Sequence, residues 1–315
     1  MNAAATGKPV IVVTAADLAP QALALLQDFE LVFAGKTPAE EGIVALCRER
    51  NPVAIIVRYS KVGAAAMDAA PALRVISKHG SGTDTIDKAA AAERGIQVVA
   101  AVGVNAAAVA EQALALLLAC AKSVVGLDER MRAGHWDKST HKSLELDGKT
   151  IGLIGLGAIG QRMAAMARGL NMRVIGFDPY AGNLPDYIES VPLDALWREA
   201  DAVSLHCPLT DDNRGMVNAA TLAQCKPGVI LVNTARGGLV DEEALLQAVR
   251  SGHVRAAGLD SFAVEPMTAG HPFQQEPRII LSPHIGGVTG AAYVNMGVAA
   301  ARNVLDALTR AKAQA

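Results

Sequence analysis

Ile151-Gly152-Leu153-Ile154-Gly155-Leu156-Gly157-Ala158-Ile159-Gly160 is the stretch that decides the fold. Its first four residues read as a buried strand, a G-x-G-x-x-G turn follows at once, and Gln161–Leu170 continues as a helix. Gly155 permits the tight turn, Gly157 lets the backbone approach a pyrophosphate, and Gly160 lets helix and strand pack closely. The amino end of the helix offers N–H groups and the positive end of a dipole to phosphates. The next strand-like run, Arg173–Phe177, ends at Asp178. A carboxylate at that distance accepts both adenosine-ribose hydroxyls and repels a 2′-phosphate; with Pro179 and Tyr180 beside it rather than an arginine, NAD is expected over NADP.

Outward from this turn the same rhythm repeats. Apolar, β-branched runs begin near Val10, Leu31, Val53, Leu73 and Gln97, and again near Ile151, Arg173, Ala202, Val229, Ala256 and Ile279. Each interval holds one strand, one crossover helix and two short loops, the pattern of parallel sheets covered by helices on both faces. Two series imply two doubly wound α/β domains. Between them Asn105–Val125 has strong helix formers and no Pro or Gly, so it is expected to form one long helix. Gly126–Lys149 shows no strand pattern, and Gly134-His135-Trp136 within it reads as an exposed arm. The alanine-rich helix expected over Ala291–Gln314 follows the last strand and can fold back onto the first domain.

The chain has 315 residues, enough for two cores, with 51% hydrophobic, 19% charged and 3% aromatic residues. That composition excludes a disordered chain and leaves the cores to Ala, Val, Leu and Ile. A formal net charge of −2 gives no electrostatic footprint for nucleic acid or an anionic membrane. Cys47, Cys120, Cys207 and Cys225 lie far apart and signal neither a disulfide framework nor a metal cluster. Met1–Gly7 carries no signal-peptide pattern, and the longest apolar run, Ala113–Ala121, is too short to cross a bilayer, so a cytoplasmic protein is expected.

In open parallel sheets, ligands sit outside the carboxyl ends of the strands. Beyond three of the later strands stand Arg236, Glu265 and His284. A histidine titrating near neutrality can give or take the proton of a secondary alcohol, and a neighbouring carboxylate fixes its tautomer and raises its pKa. A guanidinium can hold a substrate carboxylate and polarise the adjacent carbonyl. In the first series, Arg58 follows the strand Val53–Val57, where on its own it reads as an exposed strand-end arginine.

These segments also resemble the D-isomer-specific 2-hydroxyacid dehydrogenases, a group that includes D-3-phosphoglycerate dehydrogenase and hydroxypyruvate reductase. The resemblance is carried by Lys78-His79-Gly80-Ser81-Gly82-Thr83-Asp84, Asn105 with Ala110-Glu111, the glycine turn, His206-Cys207-Pro208-Leu209-Thr210, Asn233-Thr234-Ala235-Arg236-Gly237-Gly238, Asp260 with Glu265-Pro266, and Pro283-His284. It implies a flavodoxin-like substrate domain, 1–103 with 289–315, into which a Rossmann NAD-binding domain, 104–288, is inserted, with substrate bound in the cleft between them. It implies His284 as acid/base, Glu265 as its partner and Arg236 as the substrate anchor. Backbone N–H groups around Gly80, Ser81 and Gly82 would bind the substrate carboxylate, and Arg58 would meet a substrate phosphate or hydroxyl. Besides Gly155, Gly157 and Gly160, the NAD site would include Ser81, Ala158, Ile159, Asp178, Cys207, Thr234, Asp260 and Gly287. No metal is implied. A homodimer is expected, with the linker helix and the following arm across its interface; the reach of Trp136 toward the partner's active site stays open.

Two departures stand out. Ser261 and Ala263 replace bulkier or charged residues common before the catalytic Glu, and His79 precedes the substrate loop where phosphoglycerate enzymes often differ. The expected reaction interconverts a small anionic D-2-hydroxyacid and its 2-oxoacid, with hydroxypyruvate, glyoxylate and 3-phosphoglycerate all fitting. The alternative is an NAD(H)-sensing binding protein like the transcriptional co-repressors built on the same scaffold.

Overall fold

The computed structural model describes residues 7–313. Residues 1–6, on which the reading of the amino terminus partly fell, and residues 314–315 lie outside the described residues. The chain divides into two compact units, Met1–Asn105 with Val288–Ala315, and Ala106–Gly287.

In the first unit the chain runs β1 (Val10–Val13), α1 (Pro20–Leu25), β2 (Glu30–Phe33), α2 (Glu40–Arg50), β3 (Ala54–Val57), α3 (Ala64–Asp68), β4 (Val75–Lys78), α4 (Lys88–Glu93) and β5 (Gln97–Ala100). The five strands are parallel in the order β2-β1-β3-β4-β5. Ile55 and Val57 point into one apolar layer under α2 to α4, and Ala54 and Ile56 into the other. This period-two alternation explains why β3 has no polar residue at all: both of its faces are covered.

The second unit begins with α5 (Ala106–Lys122) and α6 (Val124–Arg132). The single helix expected over Asn105–Val125 is in fact broken. Ser123 adopts a left-handed conformation (φ 55°), and the two helices meet at 59°. Nothing in helix propensity marks the site, because Ser is only mildly unfavourable in a helix. The break follows the packing: α5 buries Leu116, Leu117 and Cys120 against the sheet, whereas α6 buries none of its residues. No single described helix is long and apolar enough to cross a membrane.

There follow β6 (Thr150–Ile154), α7 (Ala158–Gly169), β7 (Arg173–Phe177), β8 (Ile188–Ser190), α8 (Leu193–Glu199), β9 (Ala202–Leu205), α9 (Ala219–Gln224), β10 (Val229–Asn233), α10 (Glu242–Arg250), β11 (Val254–Leu259) and β12 (Ile279–Leu281). Seven parallel strands lie in the order β12-β11-β10-β9-β6-β7-β8. The sequence indicated six. β8 escapes notice because it is three residues long and carries two polar ones, Glu189 and Ser190, at the sheet edge. One apolar layer packs α5 and α7 on the sheet, the other α8 to α10. The order reverses between β6 and β9, which places the glycine turn at the point where such sheets bind ligands. Finally α11 (Gly290–Ala313) returns to the first unit, where Ala300, Ala301 and Val304 are buried with residues of α1 and β1.

Candidate active site

The glycine turn joins β6 to α7 in the second unit. Gly155 has φ +94°, and a Cβ there would lie 2.6 Å from the Cys207 nitrogen. A Cβ on Gly160 would lie 2.0 Å from the Gly155 carbonyl oxygen. Both positions exclude any side chain on the protein's own account. Gly157 differs: no atom lies within 4 Å of where its Cβ would be, and no side chain caps the helix that Ala158 and Ile159 open. Here the open space and the uncapped N–H groups suit a phosphate. At the end of β7, Asp178 accepts from the Leu156 N–H (2.8 Å) and the Tyr180 N–H (2.9 Å), one bond to each oxygen. Each oxygen keeps a further lone pair for a ribose hydroxyl. At the end of β10 the Thr234 hydroxyl is buried without a hydrogen-bond partner, a polar atom that suits a bound ligand. Cys207 sits half-buried beside the turn, and burial, followed by the nearby Asp178 charge, pushes its thiol up to about 11. These residues fit a dinucleotide.

Further along the same edge stand the three polar residues. His284 Nδ1 and Glu265 Oε2 are 2.7 Å apart. Glu265 Oε1 accepts from the Phe262 N–H at 2.9 Å, so both carboxylate oxygens are oriented. The hydrogen bond from Glu265 raises the His284 pKa above its ordinary value, against burial and the Arg236 charge. Burial alone would push Glu265 up, but the hydrogen bonds from His284 and Phe262, with the charges of His284 and Arg236, outweigh it and hold the group low. Arg236 thus acts electrostatically on both members of the pair.

Each of the three is held by further groups, of which the sequence named Asp260 only for the NAD site and Asn233 only within the resemblance. Buried Asn233 closes the Arg236 turn, its amide donating to the Arg236 carbonyl (2.8 Å) and its carbonyl accepting from the Ala235 N–H (3.0 Å). A Cβ on the next residue, Gly237, would fall 1.8 Å from the Phe262 carbonyl carbon, so the Arg236 turn lies directly on the loop that bears Glu265. Glu242 accepts from the Ala263 N–H of that loop at 2.8 Å. In the sequence Asn233 was an ordinary strand-end amide and Glu242 an ordinary first-turn acid of α10; only an apolar strand interrupted by Asn at its last position gave any signal.

His284 itself has φ +52°, uncommon for a residue with a side chain. Asp260, almost fully buried, imposes that shape. Its Oδ1 accepts from the Ser282 hydroxyl (2.6 Å) and the Ile285 N–H (2.9 Å), and its Oδ2 from the Gly286 N–H (2.7 Å). Gln112 on α5 donates to the Ser282 oxygen at 3.1 Å. Asp260 is therefore engaged with the His284–Gly287 loop. The remaining residues named from the sequence lie in the first unit: Arg58 after β3, and Gly80 (φ +138°), exposed Ser81 and Gly82 after β4.

This arrangement of a parallel sheet with a dinucleotide turn at its reversal point and a His–Glu pair on the same edge defines a nucleotide-dependent redox protein. Residues 114–286 match the family model described as D-isomer specific 2-hydroxyacid dehydrogenase, NAD binding domain. The chain is 42% identical over 248 residues to the hydroxypyruvate reductase of Thermotoga maritima, covering 78% of this chain and 81% of that one. It is 41% identical over 304 residues to the D-3-phosphoglycerate dehydrogenase of Mycobacterium leprae, covering 95% of this chain but spanning 57% of the relative's length. A solved structure of a Thermus thermophilus protein superposes with a TM-score of 0.87 at 37% identity, over 95% of this chain and 97% of that one. The chain belongs to the D-isomer specific 2-hydroxyacid dehydrogenase family, and its second unit is an NAD-binding domain.

Proposed function

We propose that the protein interconverts a small D-2-hydroxyacid and its 2-oxoacid with NAD(H), using His284 and Glu265 as its acid/base pair. The carrying observation is the 2.7 Å contact of His284 Nδ1 with Glu265 at the edge that also holds the glycine turn. With Nδ1–H directed at Glu265, His284 Nε2 is the atom left to exchange a proton. In reduction it donates to the carbonyl oxygen; in oxidation its lone pair takes the hydroxyl proton. NADH, when bound, supplies the hydride to the carbonyl carbon. Arg236 holds the substrate carboxylate and steadies the charge that develops on the oxygen. Gly155, Gly157, Gly160 and the amino end of α7 would hold the pyrophosphate, Asp178 the ribose, and Thr234 and Cys207 would line the wall beside them.

The nearest substrates in chemistry are glyoxylate, hydroxypyruvate and the 3-phosphoglycerate pair. Loss of NADH fluorescence on adding these 2-oxoacids tests the reading. Tight NADH binding with no oxidation by any of them would favour the sensor alternative. We also infer a cytoplasmic homodimer. Val124, Val125, Met131 and Trp136 (75% exposed) form an apolar stretch on α6 and the arm after it, of the kind that a second copy covers. Light scattering at micromolar concentration tests that assembly.

A further inference from the structure

α6 buries none of its residues, because a cavity lies beneath it. Ser123, Gly126, Leu127 and Arg130, spaced i, i+3, i+4 and i+7, share one face of the helix and line a space of about 480 Å³. Across it lie the amino ends of β10 to β12, reached through Gly228, Arg255 and Arg278. This is the edge of the seven-stranded sheet opposite to the glycine turn and His284, and every lining residue belongs to the second unit. Val124, Val125 and Met131 lie off this face of α6, so the surface assigned above to a second copy is a different one.

Arg255 carries the chemistry of this cavity. Val229 pairs with Val254 and Ile230 with Ala256, so Arg255 is an extra residue in β11, a bulge of a kind rare between parallel strands. A bulge re-aims a side chain. Arg255 and Ala256 are consecutive in the strand, yet both line the cavity, where regular pleating would send them to opposite faces. The half-buried guanidinium donates through Nη2 to the Lys142 carbonyl at 2.9 Å. Among the described residues its Nε and Nη1 have no hydrogen-bond partner, and no carboxylate pairs with it. The other two guanidinium groups differ: Asp137 engages Arg130 through both of its oxygens, and Glu276 does the same for Arg278. Among the described residues that line the cavity there is no Asp or Glu.

A guanidinium fork with unused donors matches a carboxylate or a phosphate. Ala119, Cys120 and Ile280 complete an apolar wall with Leu127, which matches a short carbon skeleton. An apolar wall with a few convergent polar groups is the make-up of small-molecule pockets of this volume. We propose that this cavity binds a small organic anion, anchored by Arg255, at a site separate from the dinucleotide turn and the His284–Glu265 pair. It rests on no step of the reaction proposed above.

The test is calorimetric titration of the full chain with succinate and with glycerol 3-phosphate, which separate a carboxylate from a phosphate ligand and are not 2-hydroxyacids. At least one should bind saturably and more tightly than inorganic phosphate, and Arg255→Gln should weaken it by about tenfold. Arg236→Gln should leave that binding in place. Gly126→Asp decides the matter if Arg255→Gln does not fold. No atom lies within 4 Å of where a Cβ on Gly126 would be, so the new carboxylate enters the cavity without displacing anything. It should weaken the anion by about tenfold or more while the urea midpoint does not fall, because an acid in the first turn suits a helix better than glycine does. Gly126→Ala should bind as the wild type does, which separates charge from bulk. Failure of both probes to saturate overturns the proposal, as does binding that Arg255→Gln or Gly126→Asp leaves unchanged or that only Arg236→Gln removes.

Discussion

Two carboxyl edges of parallel sheet carry an arginine, a histidine and a carboxylate each, and they use them in opposite ways. On the seven-stranded sheet Glu265 faces His284 and leaves the imidazole more basic. On the five-stranded sheet Asp17 faces Arg58, and the histidine of that cluster is buried and neutral. The supports differ as well. Asp260, Asn233, Glu242 and Glu265 bind backbone amides or carbonyls, so the loops themselves are held in place. Arg58, Asp17 and Tyr293 hold one another through side chains at the rim. A proton-transfer group must stay within a fraction of an ångström of its partner, and loops anchored through the backbone provide that.

The largest test of this contrast is His284→Asn. It should lower kcat by about 10²–10⁴-fold while NADH affinity, read by fluorescence, is unchanged, because no dinucleotide contact is assigned to its ring. Comparable turnover would remove the imidazole from the mechanism.

Glu265→Gln comes next, and its signature is pH. The wild-type His284 pKa lies above 6.5, so reduction should hold its rate through pH 6.5 and decline only as pH rises through the raised value; oxidation should show the inverse limb. Without the carboxylate that limb should move down toward 6.5 or below. The sign for stability is the same: coupling to Glu265 stabilises the folded chain fully below the unfolded histidine pKa and is lost as pH climbs through the folded one. A limb that does not move would show that Glu265 does not tune the histidine.

A smaller effect is expected from Ser282→Ala. One of the three hydrogen bonds to buried Asp260 is lost, with a cost of about 1–3 kcal/mol measured by denaturant unfolding. Turnover should fall with little change in KM for the 2-oxoacid, and Ser282→Thr should restore part of it. An unaltered kcat would mean that the His284 loop holds its left-handed turn without this support.

Least of all should happen to stability on Asp17→Ala. An ion pair at the rim is worth about 0.2–1 kcal/mol, so the melting temperature should shift by no more than a few degrees. A large loss of stability would mean that the Asp17–Arg58–Tyr293 contacts hold up the fold of this edge.

Much of this molecule was legible before it was folded. The glycine turn, the run into Asp178 and the recurring apolar strands are local patterns, because a turn and a doubly buried strand impose their demands on consecutive residues. What escaped is the work of neighbours distant in sequence. β8 is too short and too polar to signal itself, and the break at Ser123 is set by what α5 buries and α6 does not.

The chain's order of residues by itself determined that two parallel sheets would form, that one of them would carry a dinucleotide turn, and that Arg236, Glu265 and His284 would follow strand ends. The tertiary structure alone decided that a guanidinium after β3 meets a carboxylate after β1, and that one buried aspartate bends the histidine loop. Such pairings depend on strand order and register, which place residues dozens of positions apart within 3 Å, and no local pattern encodes that distance.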